Sequence, residues 1–210
     1  MKILLVGGQP VSTWPRLEEF DYYIGIDRGA YYLMEQGLPC DAAIGDFDSL
    51  TSKEQQRVFQ HSVSVKKSPA EKDDTDTQLA LVHALKINQH ADITLIGLTG
   101  GRIDHFLANL WLPLEPRFRV HCQQLTIKDS QNTIQYFEAG KYTISKEKEM
   151  NYLAYCCLTP VKELTLEGSK YTLCNQDVPY SISYASNEFL TETATFSFKS
   201  GLVAVIQSKD

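Results

Sequence analysis

The sequence predicts an α/β domain followed by an all-β domain. Three observations carry this reading. Up to about residue 122, apolar strand-like runs alternate with helix-patterned segments. Beyond it, short stretches alternate apolar and polar residues between turn signals. Glycines and aspartates also follow each early strand, as at the ligand-binding edge of a parallel sheet.

The elements follow in order. Ile3–Val6 reads as a buried strand ended by Gly7-Gly8. Tyr22–Ile26 reads as a second strand, followed by a helix from about Gly29 to Gln36. Ala42–Ile44 is a short third strand, and a helix over Ser52–Gln60 leads to a fourth at Val63–Val65. A long helix from Thr75 to about Asn88 leads to Ile93–Ile96. Thr75 and Gln78 have the spacing of a capping box. The next helix carries Ile103, Phe106, Leu107, Leu110 and Trp111 at the spacing of one buried face. Strands alternating with helices imply a parallel βαβ sheet. In the second part Leu125 and Ile127, Ile134 and Tyr136, and Tyr142 and Ile144 alternate with polar residues, with turns at "DSQN" and "EAGK". "TATFSFKSGLVAVIQS" reads as a hairpin about Ser200-Gly201, with Phe196 and Phe198 on one face. These strands predict an antiparallel sandwich or barrel. The expected domains are residues 1–122 and 123–210.

Composition narrows the function. The chain has 210 residues, 43% hydrophobic, with a net charge of −6, and that balance argues against a general nucleic-acid binder. The five cysteines have no metal-ligand spacing and read as reduced thiols of a cytoplasmic protein. Ile3–Val6 is too short for a signal peptide, and no run reaches the roughly 20 apolar residues of a membrane span.

The strand ends carry the chemistry. After the predicted strands come Gly7-Gly8; Asp27, Arg28 and Gly29; Asp46 and Asp48; Asp73, Asp74 and Asp76; and Gly100, Gly101, Arg102 and Asp104. Parallel strands place all of these on one edge. One aspartate at a helix start is explained by capping and the helix dipole. Two acidic clusters at neighbouring strand ends repel each other unless a cation sits among them. Oxygen-only ligands suit Mg²⁺ together with substrate phosphates. "TGGRIDH" is a glycine turn opening a helix, where N–H groups and the Arg102 fork can meet phosphate. Arg102, His105 and Asn109 share a stripe opposite the apolar one. The combination suggests phosphoryl transfer from a Mg-nucleotide. There is no Walker motif, no G-x-S-x-G and no H-E-x-x-H.

"GIDRGA", "GDFDS", "KDDTD", "TGGRIDHFLAN" and "SNEF", in that order from Gly25 onward, resemble the thiamine pyrophosphokinase family. The resemblance implies an α/β ATP-binding domain and a β-rich thiamine-binding domain. It implies transfer of a diphosphate from ATP, with Mg²⁺, to the hydroxyethyl oxygen of thiamine, giving thiamine diphosphate and AMP. It also implies a homodimer with active sites between subunits. By position, Asp46, Asp48, Asp73 and Asp76 would hold metal and diphosphate, while Asp74 sits at a variable position. Asp27, Arg28, Gly100, Gly101, Arg102 and Asp104 would contact the nucleotide, and Ser186 and Asn187 the thiamine. Many relatives carry two glycines where this chain has Arg28-Gly29, which reads as a variant nucleotide contact. Two other classes fit parts of the pattern. "DFDSL" resembles the D-x-D-x-T of haloacid dehalogenase phosphatases, with Leu50 in place of Thr. A non-enzymatic thiamine or nucleotide binder is the other.

Overall fold

The computed structural model describes residues 1–69 and 73–210. The chain divides into two compact units, Met1–Glu115 with Ile127–Ser130, and Pro116–Thr126 with Gln131–Asp210.

The first unit is built on parallel strands β1 (Lys2–Val6), β2 (Tyr22–Ile26), β3 (Ala42–Gly45), β4 (Ser64–Lys67) and β5 (Asp92–Ile96). Strand β6 (Leu125–Lys128) follows β5 in the order β6-β5-β1-β2-β3-β4. The connecting helices are α1 (Arg28–Glu35), α2 (Ser52–His61), α3 (Asp76–Ile87) and α4 (Ile103–Leu110). Ile3, Leu4, Leu5, Val6, Ile24, Leu95 and Ile96 are buried. Such continuous apolar runs belong to strands covered on both faces. The chain proceeds from β1 outward to β4, then returns to place β5 on the other side of β1. The order therefore reverses between β1 and β5, and the crevice beyond the strand ends opens at that point.

Two expectations for this unit need correction. The fourth strand is Ser64–Lys67, not Val63–Val65, and it lies at the sheet edge with most of its residues exposed. The apolar stripe of α4 is not a buried face: Ile103 is 73% and Trp111 49% exposed, and the buried residue of the helix is Asn109. Asn109 donates Nδ2–H to the Leu98 carbonyl at 3.3 Å, while Arg102 and His105 of its stripe stand exposed and Phe106, Leu107 and Leu110 of the apolar stripe are half-buried.

The strands of the second unit fall into two antiparallel groups of four, in two different sheets. One has the order β12-β9-β14-β7, from β7 (Asn132–Phe137), β9 (Tyr152–Cys157), β12 (Ile182–Asn187) and β14 (Val203–Ser208). The other has the order β11-β10-β13-β8, from β8 (Gly140–Ser145), β10 (Val161–Glu167), β11 (Leu173–Val178) and β13 (Thr193–Phe198). Tyr155, Cys157, Val203 and Val205 of the first sheet share one core with Leu164, Leu166, Phe196 and Phe198 of the second. Burying each of these larger side chains contributes about 1.5–3 kcal/mol. The expected hairpin about Ser200-Gly201 is not formed. Phe196 and Phe198 do share the core face, but β13 and β14 belong to different sheets and the chain crosses the sandwich between them. Both strands read as alternating, and alternation alone does not identify the pairing partner.

Candidate active site

Three loops at the strand ends build the site in the first unit. Asp27 follows β2 with φ 47, a conformation that L residues rarely adopt. Its N–H donates to the Ile44 carbonyl at 3.0 Å, and its Oδ1 accepts the Phe47 N–H at 3.0 Å. Phe47 itself has φ 62. Its fully buried ring packs edge-on to Phe59 at 5.1 Å, which anchors the turn carrying Asp46 and Asp48. Asp46 Oδ1 accepts the Asp48 N–H at 3.0 Å, a tight aspartate turn. Two non-glycine residues at positive φ in one site is strain held in place by its surroundings.

The third loop leads into α3. The helix start is capped by Thr75 and Gln78: Thr75 Oγ1 accepts the Gln78 N–H at 3.2 Å, and Gln78 Oε1 accepts the Thr75 N–H at 2.6 Å. Asp76 is therefore not the cap. Its Oδ1 accepts the Ser68 hydroxyl at 3.0 Å.

Together these loops bring one carboxylate oxygen from each of Asp27, Asp46 and Asp76 to within 4.8 Å of one another. The Asp27 carboxyl is pushed up to about 7. Burial is the main cause; the charges of Asp76, Asp46 and Asp48 add to it, and the Phe47 N–H opposes it. The burial and neighbouring carboxylates that hold Asp27 protonated are a repulsion that a cation among the three would relieve. All-oxygen donors of this kind fit Mg²⁺.

The cleft around the trio has a volume of about 770 Å³. Asp48 and Asp73, expected beside the metal, line it but stand exposed and outside the trio. Asp27, expected as a nucleotide contact, is inside it. Asp74 also lines the cleft. Glu71 and Lys72 of the "EKDDTD" stretch lie outside the described residues.

Gly100 and Gly101 turn with φ 81 and 64, positions that suit glycine, ahead of α4. A side chain on Gly101 would lie 2.5 Å from Gln9 Nε2. Gln9 is a cleft residue that the sequence reading passed over, and its only signal is its place just after Gly7-Gly8. Arg28 and Arg102 are the guanidinium groups of the cleft among the described residues. Arg28 pairs with Glu54 at 3.3 Å and donates to the Ser49 carbonyl. Arg102 pairs with Asp104 at 2.6 Å. That pair is largely exposed and holds the Asp104 carboxyl below its usual range. Exposed pairs contribute little, so Arg102 can turn to a phosphate at small cost.

Ser186 and Asn187 lie in the second unit. Ser186 is exposed with φ 59. Asn187 is buried and fully engaged. Its Oδ1 accepts the N–H groups of Tyr171 and Glu188, each at 2.9 Å. Its Nδ2 donates to Ser169 Oγ at 3.2 Å and to the Tyr171 carbonyl at 2.8 Å. Asn187 thus ties the β12 end to the 169–171 turn.

Two family models match the chain: "Thiamin pyrophosphokinase, catalytic domain" over residues 14–125, and "Thiamin pyrophosphokinase, vitamin B1 binding domain" over residues 141–203. Thiamine pyrophosphokinase of Bacillus subtilis (strain 168) is 36% identical over 214 residues, spanning 99% of each chain. A thiamin pyrophosphokinase family protein from Enterococcus faecalis has a crystal structure with TM-score 0.98 and 56% identity, covering 100% of both chains. The crystal structure of thiamine pyrophosphokinase from Bacillus subtilis gives TM-score 0.87 at 34% identity, again covering 100% of both.

Proposed function

Because the chain belongs to the thiamin pyrophosphokinase family, we propose that it is a thiamine diphosphokinase, transferring the diphosphate of Mg-ATP to the hydroxyethyl oxygen of thiamine. The observation that carries the chemistry is the convergence of Asp27, Asp46 and Asp76 in a cleft that also holds a glycine turn and Arg102.

In this reading residues 1–122 hold the nucleotide and residues 123–210 the thiamine. The thiamine hydroxyl oxygen attacks the β-phosphorus of ATP and its proton passes to an aspartate carboxylate of the cleft. The bond from that phosphorus to the oxygen bridging to the α-phosphate breaks, and AMP leaves with the bridging oxygen. Asp27, Asp46 and Asp76 would hold the divalent cation, with Ser68 fixing the orientation of Asp76. When bound there, the cation would offset charge on the phosphate oxygens. Asp48 and Asp73 line the cleft as outer carboxylates that would act through water. Arg102 would leave Asp104 for a phosphate, and the amides of the Gly100-Gly101 turn would face the same group. Arg28, engaged by Glu54 and Ser49, shapes the nucleotide wall. Ser186 is the thiamine contact at the surface of the β unit, and Asn187 supports it from below. The enzyme works in the cytoplasm as a homodimer with its sites at the interface, and exposed Ile103, Trp111 and Leu114 at and beyond the ends of α4 support such pairing.

The test is incubation with ATP, Mg²⁺ and thiamine, with products followed by chromatography. Equal amounts of AMP and thiamine diphosphate, abolished by a chelator, are expected. ADP in place of AMP would overturn the reading, as would hydrolysis of simple phosphate esters with no transfer.

A further inference from the structure

A second cavity, of about 640 Å³, lies in the first unit between the β3–β4 edge of the sheet and α3. Its apolar walls come from Ile44, Leu79 and Val82. Its charged lining comes from Lys66 and Lys67 on β4 and Lys86 on α3. Among the described residues none of these lysines has a carboxylate partner. Asp73 and Asp74 line it on the side shared with the aspartate cleft. Among the described residues, three lysines against two aspartates make this lining net positive in a chain whose net charge is −6.

Lysines on an unpaired edge strand have an ordinary explanation, since they discourage edge-to-edge association. That covers Lys66 and Lys67. It does not cover Lys86, which reaches the same cavity from a helix, nor His83 beside it. Lys66 Nζ lies 2.7 Å from His83 Nδ1, so the ammonium donates and Nδ1 accepts. The ring proton is then on Nε2, which is buried without a hydrogen-bond partner. Burial, with Lys66 and Lys86 adding to it, holds the imidazole below its usual range, and the ring adds an apolar face to the wall.

We propose that this cavity binds a small organic phosphate, with its apolar body against Ile44, Leu79, Val82 and the His83 ring and its phosphate against Lys66, Lys67 and Lys86. The proposal stands independently of the diphosphokinase reading, because it concerns residues outside the aspartate trio and its test needs no turnover.

The test follows the His83 ring proton resonance, assigned by comparison with His83→Gln, in full-length protein with a chelator at constant pH. Phenyl phosphate and inorganic phosphate are added in separate titrations. Phenyl phosphate is expected to shift the resonance saturably, with a midpoint at least tenfold lower than that of inorganic phosphate. The midpoint should rise at least tenfold in Lys66→Ala/Lys86→Ala and in the cavity-filling Val82→Trp, and should be unchanged in Arg102→Ala. Thermal melts of each variant establish that it is folded. No shift with either probe overturns the proposal, as does a shift with inorganic phosphate alone. Loss of the shift in Arg102→Ala with retention in the lysine variant also overturns it, by assigning binding to the aspartate cleft.

Discussion

The carboxylate of Asp27 occupies the space that a side chain on residue 45 would need: its Oδ1 lies 1.9 Å from where a Cβ on Gly45 would stand. The glycine at the end of β3 is therefore what lets an aspartate from the end of β2 reach the carboxylate trio.

Gly45→Ala should move Asp27 and leave the sheet in place. A displacement of about 1 Å at a reacting centre costs on the order of 10²-fold in rate. The expected result is a loss of AMP formation of that order with β-sheet circular dichroism unchanged. Full activity in the alanine variant would show that Asp27 need not sit where it does.

The three aspartates of "DDTD" should separate by role. Asp76→Asn removes a trio carboxylate and should lower kcat by about 10²-fold or more, a loss of roughly 3 kcal/mol or more of barrier stabilisation. Asp73→Asn should raise the KM for Mg-ATP more than it lowers kcat. Asp74→Asn should be mild. Ser68→Ala, which removes the hydroxyl that Asp76 Oδ1 accepts, should cost about tenfold, as loss of an orienting partner does. Steady-state assays with melting curves decide this. Equal losses at Asp74 and Asp76 would contradict the assignment.

Asp27 also sets a pH dependence. Its folded-state carboxyl is raised to about 7, above the usual unfolded value near 4. Between those pH values the native state holds the proton more tightly than the unfolded state. Stability from this group is therefore greatest at low pH and is lost as pH rises through about 7. In chelator, the Tm should fall between pH 5.5 and pH 8. The slope should flatten in Asp27→Asn, and Mg²⁺ should raise the Tm most at the alkaline end. A Tm that rises over this range through the same group would reverse the sign and refute the assignment.

Ser186 and Asn187 stand side by side in sequence yet should fail differently. Asn187→Ala leaves the Tyr171 and Glu188 N–H groups without their acceptor, at about 1–3 kcal/mol each where buried. Its Tm should drop by several degrees. Ser186→Ala should keep its Tm and raise the KM for thiamine. Measuring both quantities on both variants separates support from contact.

Much of this was legible from residue patterns. Ile3–Val6, Tyr22–Ile26 and Ile93–Ile96 read as buried parallel strands because strands covered on both faces are nearly continuous apolar runs. The convergence of Asp46 and Asp76 follows from parallel strands ending on one edge. What was not legible depends on distance rather than pattern. Asp27 belongs to the trio only because Gly45 and the buried Phe47 bend two backbones together. Gln9 has no motif around it. The strand pairing of Thr193–Phe198 and Val203–Ser208 could not be read, because a sheet-to-sheet crossing and a hairpin have the same alternation.

The ends of the apolar stripe of α4 give the last prediction, since its middle residues are half-buried and its ends stand in water. Ile103 and Trp111 stand exposed at the two ends of one helix, and Leu114 beyond it is exposed too. Such a patch beside a cleft is costly to leave in water and marks an association surface. A charge at its centre of exposure should prevent that association. Light scattering after gel filtration should give the wild type a mass twice the 23.7 kDa of one chain. Ile103→Glu should give the single-chain mass at micromolar concentration with an unchanged circular dichroism spectrum. Its position is at the first residue of α4, where a carboxylate suits the helix dipole, so the substitution should not unfold the helix. If sites lie at the interface, activity should fall with the dimer and recover as protein concentration rises. A wild type that is monomeric at every concentration, yet fully active, would remove both the dimer and the shared site.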